Sequence, residues 1–206
     1  MKVQLPLLLI GLAVSAYPAS AQAPQPTRIR GVVQALKGNM LTVSTDHGAV
    51  QLTLGEHTGI NGVEKRSIAD IRDGVFVGTT AIKDAKGRWR ATEVHIFPEA
   101  MRGAGEGHYA WDRPGSTMTN AAVTGTVRSR GGRTLELKYT KGGEHNAAGQ
   151  IEVRVTRATK IVAFVPGSRS LLVPGAAVFA LAIPAKDGGA NALGIVAETH
   201  GVKPPM

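Results

Sequence analysis

The sequence predicts an all-β protein made of two tandem small five-stranded barrels joined by a partly ordered linker. Short segments with alternating apolar and polar residues are separated by glycine turns, for example residues 50–54 and 151–155. This alternation is typical of strands that bury one face. Sustained helical periodicity is absent, and the same strand pattern occurs twice along the chain. These observations together favour an all-β fold with an internal repeat.

The repeat is visible when the chain is aligned with itself. Glycines and apolar residues of the first copy recur 94 residues later, as Gly31 does at Gly125. After seven additional residues in the second copy the offset becomes 101, as for Gly74 and Gly175. A single insertion near residues 144–148 therefore keeps the two copies in phase over about seventy residues. We expect the two units to superpose with Gly31 on Gly125.

Within each unit, one short segment narrows the architecture. Residues 67–74 contain a Ser cap, an apolar pair and a final glycine, which predict one helical turn after the third strand, ended by Gly74 with positive φ. We expect the same backbone conformation at Gly175, although residues 166–174 resemble a loop. Five short strands with a helical turn after the third follow the plan of an OB-fold, a partly open Greek-key barrel. Other small five-stranded barrels fit the same pattern.

The N-terminus predicts export. Lys2 precedes an apolar segment at residues 5–16, and small residues follow at 19–21, which is the pattern of a cleaved signal peptide. The apolar segment is shorter than the roughly 20 residues that span a bilayer. We therefore expect a signal peptide at 1–21, units at 27–98 and 121–202, and a linker at 99–120. The mature protein is then periplasmic or secreted, with no transmembrane segment.

Composition excludes some chemistry and indicates a class of partner. The chain has no cysteine, so thiol catalysis and thiolate zinc sites are excluded. Its formal net charge is +9, and residues 121–206 carry eleven basic against five acidic side chains. Several of the basic residues lie close together: Arg128, Arg130, Arg133, Lys138 and Lys141. Such a cluster is either a solvated face that maintains solubility or a surface that attracts anionic envelope polymers or lipid headgroups.

The linker contains the candidate binding residues. A featureless spacer is rich in Gly and Ser or in Pro, whereas this segment includes costly aromatic side chains. The rings either attach the linker to the groove between the barrels or contact a ligand. The candidates for ligand binding are Arg102, Glu106, His108, Tyr109, Trp111 and Asp112.

A metal-binding or metal-delivery protein is the main alternative. Five side chains near the linker offer nitrogen or oxygen ligands that suit zinc, copper or manganese: His95, Glu99, Glu106, His108 and Asp112. Their spacing matches no metal motif. His95 alternates with apolar neighbours in a predicted strand, so we expect it to face solvent. No resident cofactor is expected.

An enzyme is not expected, and an uncharacterised hydrolase is the second alternative. Ser116, His108 and Asp112 are the residue types of a hydrolase triad, but the chain has no G-x-S-x-G nucleophile elbow. Nucleic acid is not an expected partner. The basic second unit has Tyr139 as nearly its only ring, whereas single-stranded nucleic acid is usually bound by stacked aromatics.

The spacing of glycines and apolar residues also supports a resemblance. In the first unit the pattern comprises Ile29, Gly31, Val33, Gly38, Leu41, Val43, Gly48, Val50, Leu52, Thr58, Ile60, Ile71, Gly74, Val77, Ala91 and Val94. Both units resemble an exported bacterial family of unknown function built from repeated OB-like β-barrel domains. The resemblance covers nearly all of the mature chain and implies fold and export, but no substrate. We therefore expect an exported, non-catalytic binding or structural module of the bacterial envelope. Its partner is an envelope protein or an anionic glycan or lipid surface.

Overall fold

The computed structural model describes residues 26–129, 131–142, 146–185 and 189–205. The predicted signal peptide lies outside these ranges. The described part is all-β, with no α-helix and therefore no helix that could cross a membrane. Its strands are β1 (Thr27–Lys37), β2 (Met40–Thr45), β3 (Gly48–Lys65), β4 (Phe76–Lys83), β5 (Trp89–Ile96), β6 (Gly107–Ala110), β7 (Ser116–Ser129), β8 (Gly132–Tyr139), β9 (Gly149–Thr156), β10 (Lys160–Pro166), β11 (Ala177–Pro184) and β12 (Ala190–Ala197).

Five strands form a closed barrel. β1 pairs with β2 and β2 with β3, both antiparallel. β12 then runs parallel to β3, and β11 closes the ring by pairing with both β12 and β1. Alternate residues point inward because side chains along a strand change face at every step. Val33, Leu41, Leu52 and Ile195 are consequently buried in the barrel core.

The remaining strands form a second group around a separate core. β4, β7, β8 and β9 follow one another as antiparallel neighbours. β5 pairs with β4, meets β9 at the single pair Arg90 and Arg154, and then continues in parallel beside β10. Val77, Val94 and Leu135 are buried in this core. β6 adds to the free side of β7.

These pairings differ from two tandem barrels made of consecutive strands. The closed barrel takes β1 to β3 from the predicted first unit, 27–98, but β11 and β12 from the predicted second unit, 121–202. The second group combines β7 to β9 with β4 and β5. Strands from both predicted units therefore contribute to each strand group. An alternating pattern specifies which strand face is buried, but it does not specify which of two similar hairpins covers that face.

The junction between the two strand groups is formed by β3 and β10. Residues 61–65 of β3 pair antiparallel with residues 162–166 of β10. The backbone N–H of Arg66 donates to Ile161 O at 2.9 Å, and that of Gly167 donates to Ile60 O at 3.1 Å. A third apolar cluster spans the junction and contains Val63, Phe76, Phe97, Val162, Phe164, Phe179 and Val196. The two groups therefore share a continuous packed interface.

The helical turn predicted after the third strand is a 3-10 turn at Ile68–Asp70. The Ser67 side chain caps it by accepting the Ala69 N–H at 3.2 Å, and the Asp70 carboxylate accepts the Ser67 N–H at 2.7 Å. Gly74 then has φ 86°, as predicted. This capping box stabilises a turn too short to persist alone.

A second 3-10 turn lies at Arg169–Leu171, where the sequence resembled a loop. The prediction of a loop was wrong because the prolines at 166 and 174 flank the turn and leave its N–H groups free to bond. The Ser168 side chain caps it by accepting the Ser170 N–H at 3.3 Å. Gly175 has φ 92°, which confirms the predicted conformation.

The predicted match of Gly31 with Gly125 is wrong by four residues. The pairing of β1 with β2 has a register shift between Val33 and Ala35. The pairing of β7 with β8 has the same kind of shift between Val123 and Gly125. Val33 therefore corresponds to Val123. β2 and β8 nevertheless keep the predicted offset of 94. The β7–β8 hairpin is therefore longer. A shift by an even number of residues leaves every side chain on its original face, so the apolar pattern cannot detect it.

The predicted linker, residues 99–120, has regular structure. It contains a 3-10 turn at Glu99–Met101 and β6, which pairs with β7. β7 begins at Ser116 rather than at residue 121. Only residues 111–115 connect the two strands. Most of the linker therefore belongs to the second strand group instead of spanning a gap.

Candidate functional site

Two of the candidate binding residues attach the linker to the closed barrel. The Arg28 guanidinium lies over the Trp111 ring, 3.8 Å from its centroid. The Asp112 carboxylate pairs with Arg28 at 3.4 Å and also with Arg30. Trp111 is half-buried, and its ring centroid lies 6.5 Å from that of Phe179. These contacts hold the β6–β7 turn against β1 and β11.

We expect Trp111→Ala to lower the free energy of unfolding by about 1–3 kcal/mol, because it removes a half-buried ring and its cation–π contact. Cleavage within residues 111–115 by a non-specific protease should become faster. Thermal unfolding and limited proteolysis measure the two effects. Trp111→Phe retains a ring and serves as the control. Unchanged stability and unchanged cleavage in Trp111→Ala would contradict an anchoring role.

Glu106 and Tyr109 also make contacts within the fold. The Glu106 carboxylate accepts the Thr140 N–H at 2.7 Å and the Thr140 hydroxyl at 3.0 Å. The Tyr109 hydroxyl donates to Gly105 O at 3.3 Å and accepts from the Asn120 amide at 3.4 Å. Burial raises the pKa of the Tyr109 hydroxyl. Both side chains therefore fasten the linker to its surroundings.

His108 is part of an aromatic group on the second strand group. Its Nδ1 lies 2.8 Å from the Thr119 hydroxyl, and its ring packs 5.6 Å from that of Trp89 and 6.3 Å from that of Tyr139. Burial lowers the pKa of His108, and the positive charge of Lys83 lowers it further. Both effects favour the neutral form of the imidazole, whose ring packs between its aromatic neighbours.

The five candidate metal ligands do not come together. Within the described part of the chain, no group of three or more His, Asp or Glu side chains could hold a metal ion. Glu99 instead accepts a hydrogen bond from Arg102 at 2.7 Å, which lowers the pKa of the Glu99 carboxyl. Arg102 also donates to Gly74 O at 2.8 Å. The other four candidates are His95, Glu106, His108 and Asp112, and each is engaged with a different partner.

The three residues of the hydrolase hypothesis, Ser116, His108 and Asp112, also make hydrogen bonds or ion pairs with other residues of the fold. The buried Ser116 hydroxyl donates to Arg113 O at 2.7 Å and accepts the Arg113 N–H at 3.1 Å. It closes the turn before β7. His108 bonds to Thr119, while Asp112 pairs with arginines of β1. These contacts explain the three residues structurally.

His95 is buried, with 2% of its surface exposed, so the prediction that it faces solvent was wrong. Its ring stacks on Phe164 of β10 at a centroid distance of 4.8 Å. Its Nδ1 lies 3.4 Å from Oε1 of Glu93, which is also buried. A strand of an isolated unit would expose this face. Here, β10 and the apolar cluster at the junction cover it.

A cleft of about 900 Å³ opens at the junction of the two groups, and we call it the basic cleft. Its floor includes the buried side chains of Thr159, Ile161 and Val162. No acidic residue among those that the structure describes lines it. The lining cations are Lys65, Arg66, Arg128, Arg133, Arg157, Lys160 and Lys203. Concentrating seven like charges opposes folding through mutual repulsion.

Separate chain segments supply these cations. The end of β3, the long β7–β8 hairpin, the turn before β10 and the C-terminal segment each contribute. Two cations have partners in the fold: Arg66 pairs with Glu64 at 2.6 Å, and Arg133 donates to Ile68 O at 3.2 Å. The others are exposed and form no ion pair with any described residue: Lys65, Arg128, Arg157, Lys160 and Lys203.

No protein-family model, curated protein or solved structure matches this chain. The residues of the basic cleft are therefore the basis for inferring a function. The sequence indicated part of the basic cleft, because Arg128 and Arg133 belong to the basic segment of the second half. Lys138 and Lys141 of that segment do not line the cleft, and Arg130 lies outside the described residues. The remaining cations are scattered along the sequence and could not have been grouped by spacing.

Proposed function

We propose that the protein is an exported, non-catalytic binding module of the bacterial envelope that holds an anionic ligand in the basic cleft. The described part of the cleft lining contains Lys, Arg, Ser, Thr and apolar residues, with no His, Asp or Glu among them to act as general acid or base. Cations in a concave site with low-dielectric walls focus a positive potential and raise the local concentration of anions. Binding, and not chemistry, is what this set of side chains supports.

We further propose that each strand group is an OB-like barrel and that the two groups are copies of one unit with exchanged hairpins. In both, the third strand runs parallel to the last strand of the barrel: β3 with β12, and β9 with β5. The Thr58 hydroxyl donates to Ala192 O at 2.8 Å, and the Thr159 hydroxyl donates to Ala91 O at 3.0 Å. Corresponding residues thus make corresponding hydrogen bonds.

A difference in charge between the two proposed copies supports the proposed function. The closed barrel contains the counterpart of the region that forms the basic cleft, but most of the charge is missing there. Its β1–β2 hairpin is also shorter, so it lacks the extension that bears Arg128 and Arg133. Four cations correspond to uncharged or acidic residues: Lys65 to Pro166, Arg66 to Gly167, Arg157 to Glu56 and Lys160 to Gly59. The same backbone therefore forms without these charges, so folding does not explain their presence.

Charge reversal tests the proposal. We expect Arg157→Glu/Lys160→Glu to weaken binding of linear polyphosphate or phosphatidylglycerol vesicles at least tenfold at low salt, because two exposed cations of the cleft become repulsive. Fluorescence titration of the full-length protein measures the dissociation constants.

Lys37→Glu/Lys86→Glu is the matched control, since both lysines are exposed, lie outside the cleft and change the net charge equally. We expect less than a threefold effect from it. An equal loss in the two double variants would show that only net charge matters and would sink the proposal. Thermal unfolding of each variant checks that the fold is retained.

A further inference from the structure

Building on the proposed function, we infer that the ligand of the basic cleft is a linear polyanion without stacking rings, bound lengthwise among its five unpaired cations. The shared chemistry is a flexible chain of repeated phosphate or carboxylate groups. Three properties of the cleft support this ligand class: its concave shape, the distribution of its charges and the absence of aromatic side chains from its described lining.

The shape argues against a membrane surface. The cleft reaches down to Thr159, Ile161 and Val162, each less than a tenth exposed. A bilayer is flat on the scale of a protein of this size, so its headgroups would contact only the rim. Arg66 and Arg133 are half-buried and fixed by internal bonds, which keeps them from extending to a flat surface. A narrow chain can enter where a bilayer cannot.

The distribution of charge argues against a single small anion. The unpaired cations that line the cleft come from β3, the β7–β8 hairpin, the turn before β10 and the C-terminal segment, so four separate chain segments supply them. One phosphate is satisfied by one or two cations in close contact. A chain with repeated charges can pair with several at once, and each contact adds to the affinity through counterion release.

The side-chain chemistry argues against nucleic acid. Sites for single-stranded nucleic acid combine a basic groove with aromatic side chains on which the bases stack. Within residues 26–129, 131–142, 146–185 and 189–205, no Trp, Tyr, Phe or His side chain lines the basic cleft. The aromatic group at His108 is also not part of the lining. Bases would therefore gain nothing over a chain that carries charge alone.

Competitive titration of the full-length protein tests the inference with four probes: polyphosphate of increasing length, poly-glutamate, oligo-dT and phosphatidylglycerol vesicles. We expect the affinity for polyphosphate or poly-glutamate to rise with chain length and then level off. With about five contacts, the slope of log K against log salt should approach roughly −3.5, which is about a 100-fold loss between 50 and 200 mM salt. Arg157→Glu/Lys160→Glu should reduce the slope to about −2. Oligo-dT of equal charge should bind no more than twofold tighter than polyphosphate.

The outcomes separate the inference from the proposed function. Cleft-dependent binding of vesicles without binding of either polymer would overturn the inference but leave an anion-binding module intact. A tenfold preference for oligo-dT would also overturn it. If no probe responds to Arg157→Glu/Lys160→Glu, both the inference and the proposed function fail. A preference for polyphosphate or for poly-glutamate supports the inference and identifies the anionic group.

Discussion

Cleavage of the chain between Pro114 and Gly115 is expected to leave the two halves associated in native buffer. Both residues lie in the exposed turn between β6 and β7, where a protease recognition sequence can be inserted. The N-terminal fragment supplies β1 to β3 of the closed barrel and also β4 and β5 of the second group. Separation would remove two of the five strands from the closed barrel and open both apolar cores. The cleaved protein should therefore elute in size-exclusion chromatography at the volume of the uncut protein.

The same sample in concentrated guanidinium provides the control, because unfolding should release both fragments. Fragment exchange is the more stringent measurement. A labelled N-terminal fragment added in excess should not enter the native cleaved protein on the timescale of hours, since entry requires global unfolding. If the chain instead formed two consecutive barrels that only touch, the labelled fragment would replace the bound one without unfolding. Separation or rapid exchange in native buffer would contradict the hairpin exchange.

Gly78→Ala is expected to lower the free energy of unfolding by about 2–3 kcal/mol, the usual cost of overpacking a buried site. A Cβ at Gly78 would overlap Nε2 of His95 and lie 2.6 Å from Oδ1 of Asn120. His95 cannot retreat easily, because its ring is packed between Phe97 and Phe164. For a chain of this length the loss corresponds to a decrease in Tm of about 5–10 °C.

Gly194→Ala is the matched control within a strand of the closed barrel. The nearest atom to a Cβ there is Gly59 O at 3.7 Å, an ordinary contact, so we expect a change below about 1 kcal/mol. Adding His95→Ala to Gly78→Ala should restore part of the lost stability by vacating the overlapped space. Equal stability of Gly78→Ala and Gly194→Ala, measured by chemical denaturation, would contradict the prediction. It would show that the side chains around Gly78 can move to accommodate a Cβ.

Local features of this protein followed from the sequence. The alternation of apolar residues predicted an all-β protein and most strand positions, because the two-residue period of a strand requires nothing beyond one buried face. Ser67 predicted a capped turn, and Gly74 and Gly175 predicted positive φ, because these preferences arise within a few residues. Each of these predictions concerns interactions between neighbours along the chain.

The tertiary structure alone decided which strands are partners and where the charges meet. The β4–β5 and β11–β12 hairpins have similar apolar patterns, so the sequence could not show that β11 and β12 complete the barrel begun by β1. The observed pairing sets β10 beside β5 and stacks Phe164 on His95, so a predicted surface residue is buried. It also brings Lys65, Lys160 and Lys203 to one cleft. Local sequence patterns determine the conformation of each segment, whereas long-range packing between distant segments determines the site.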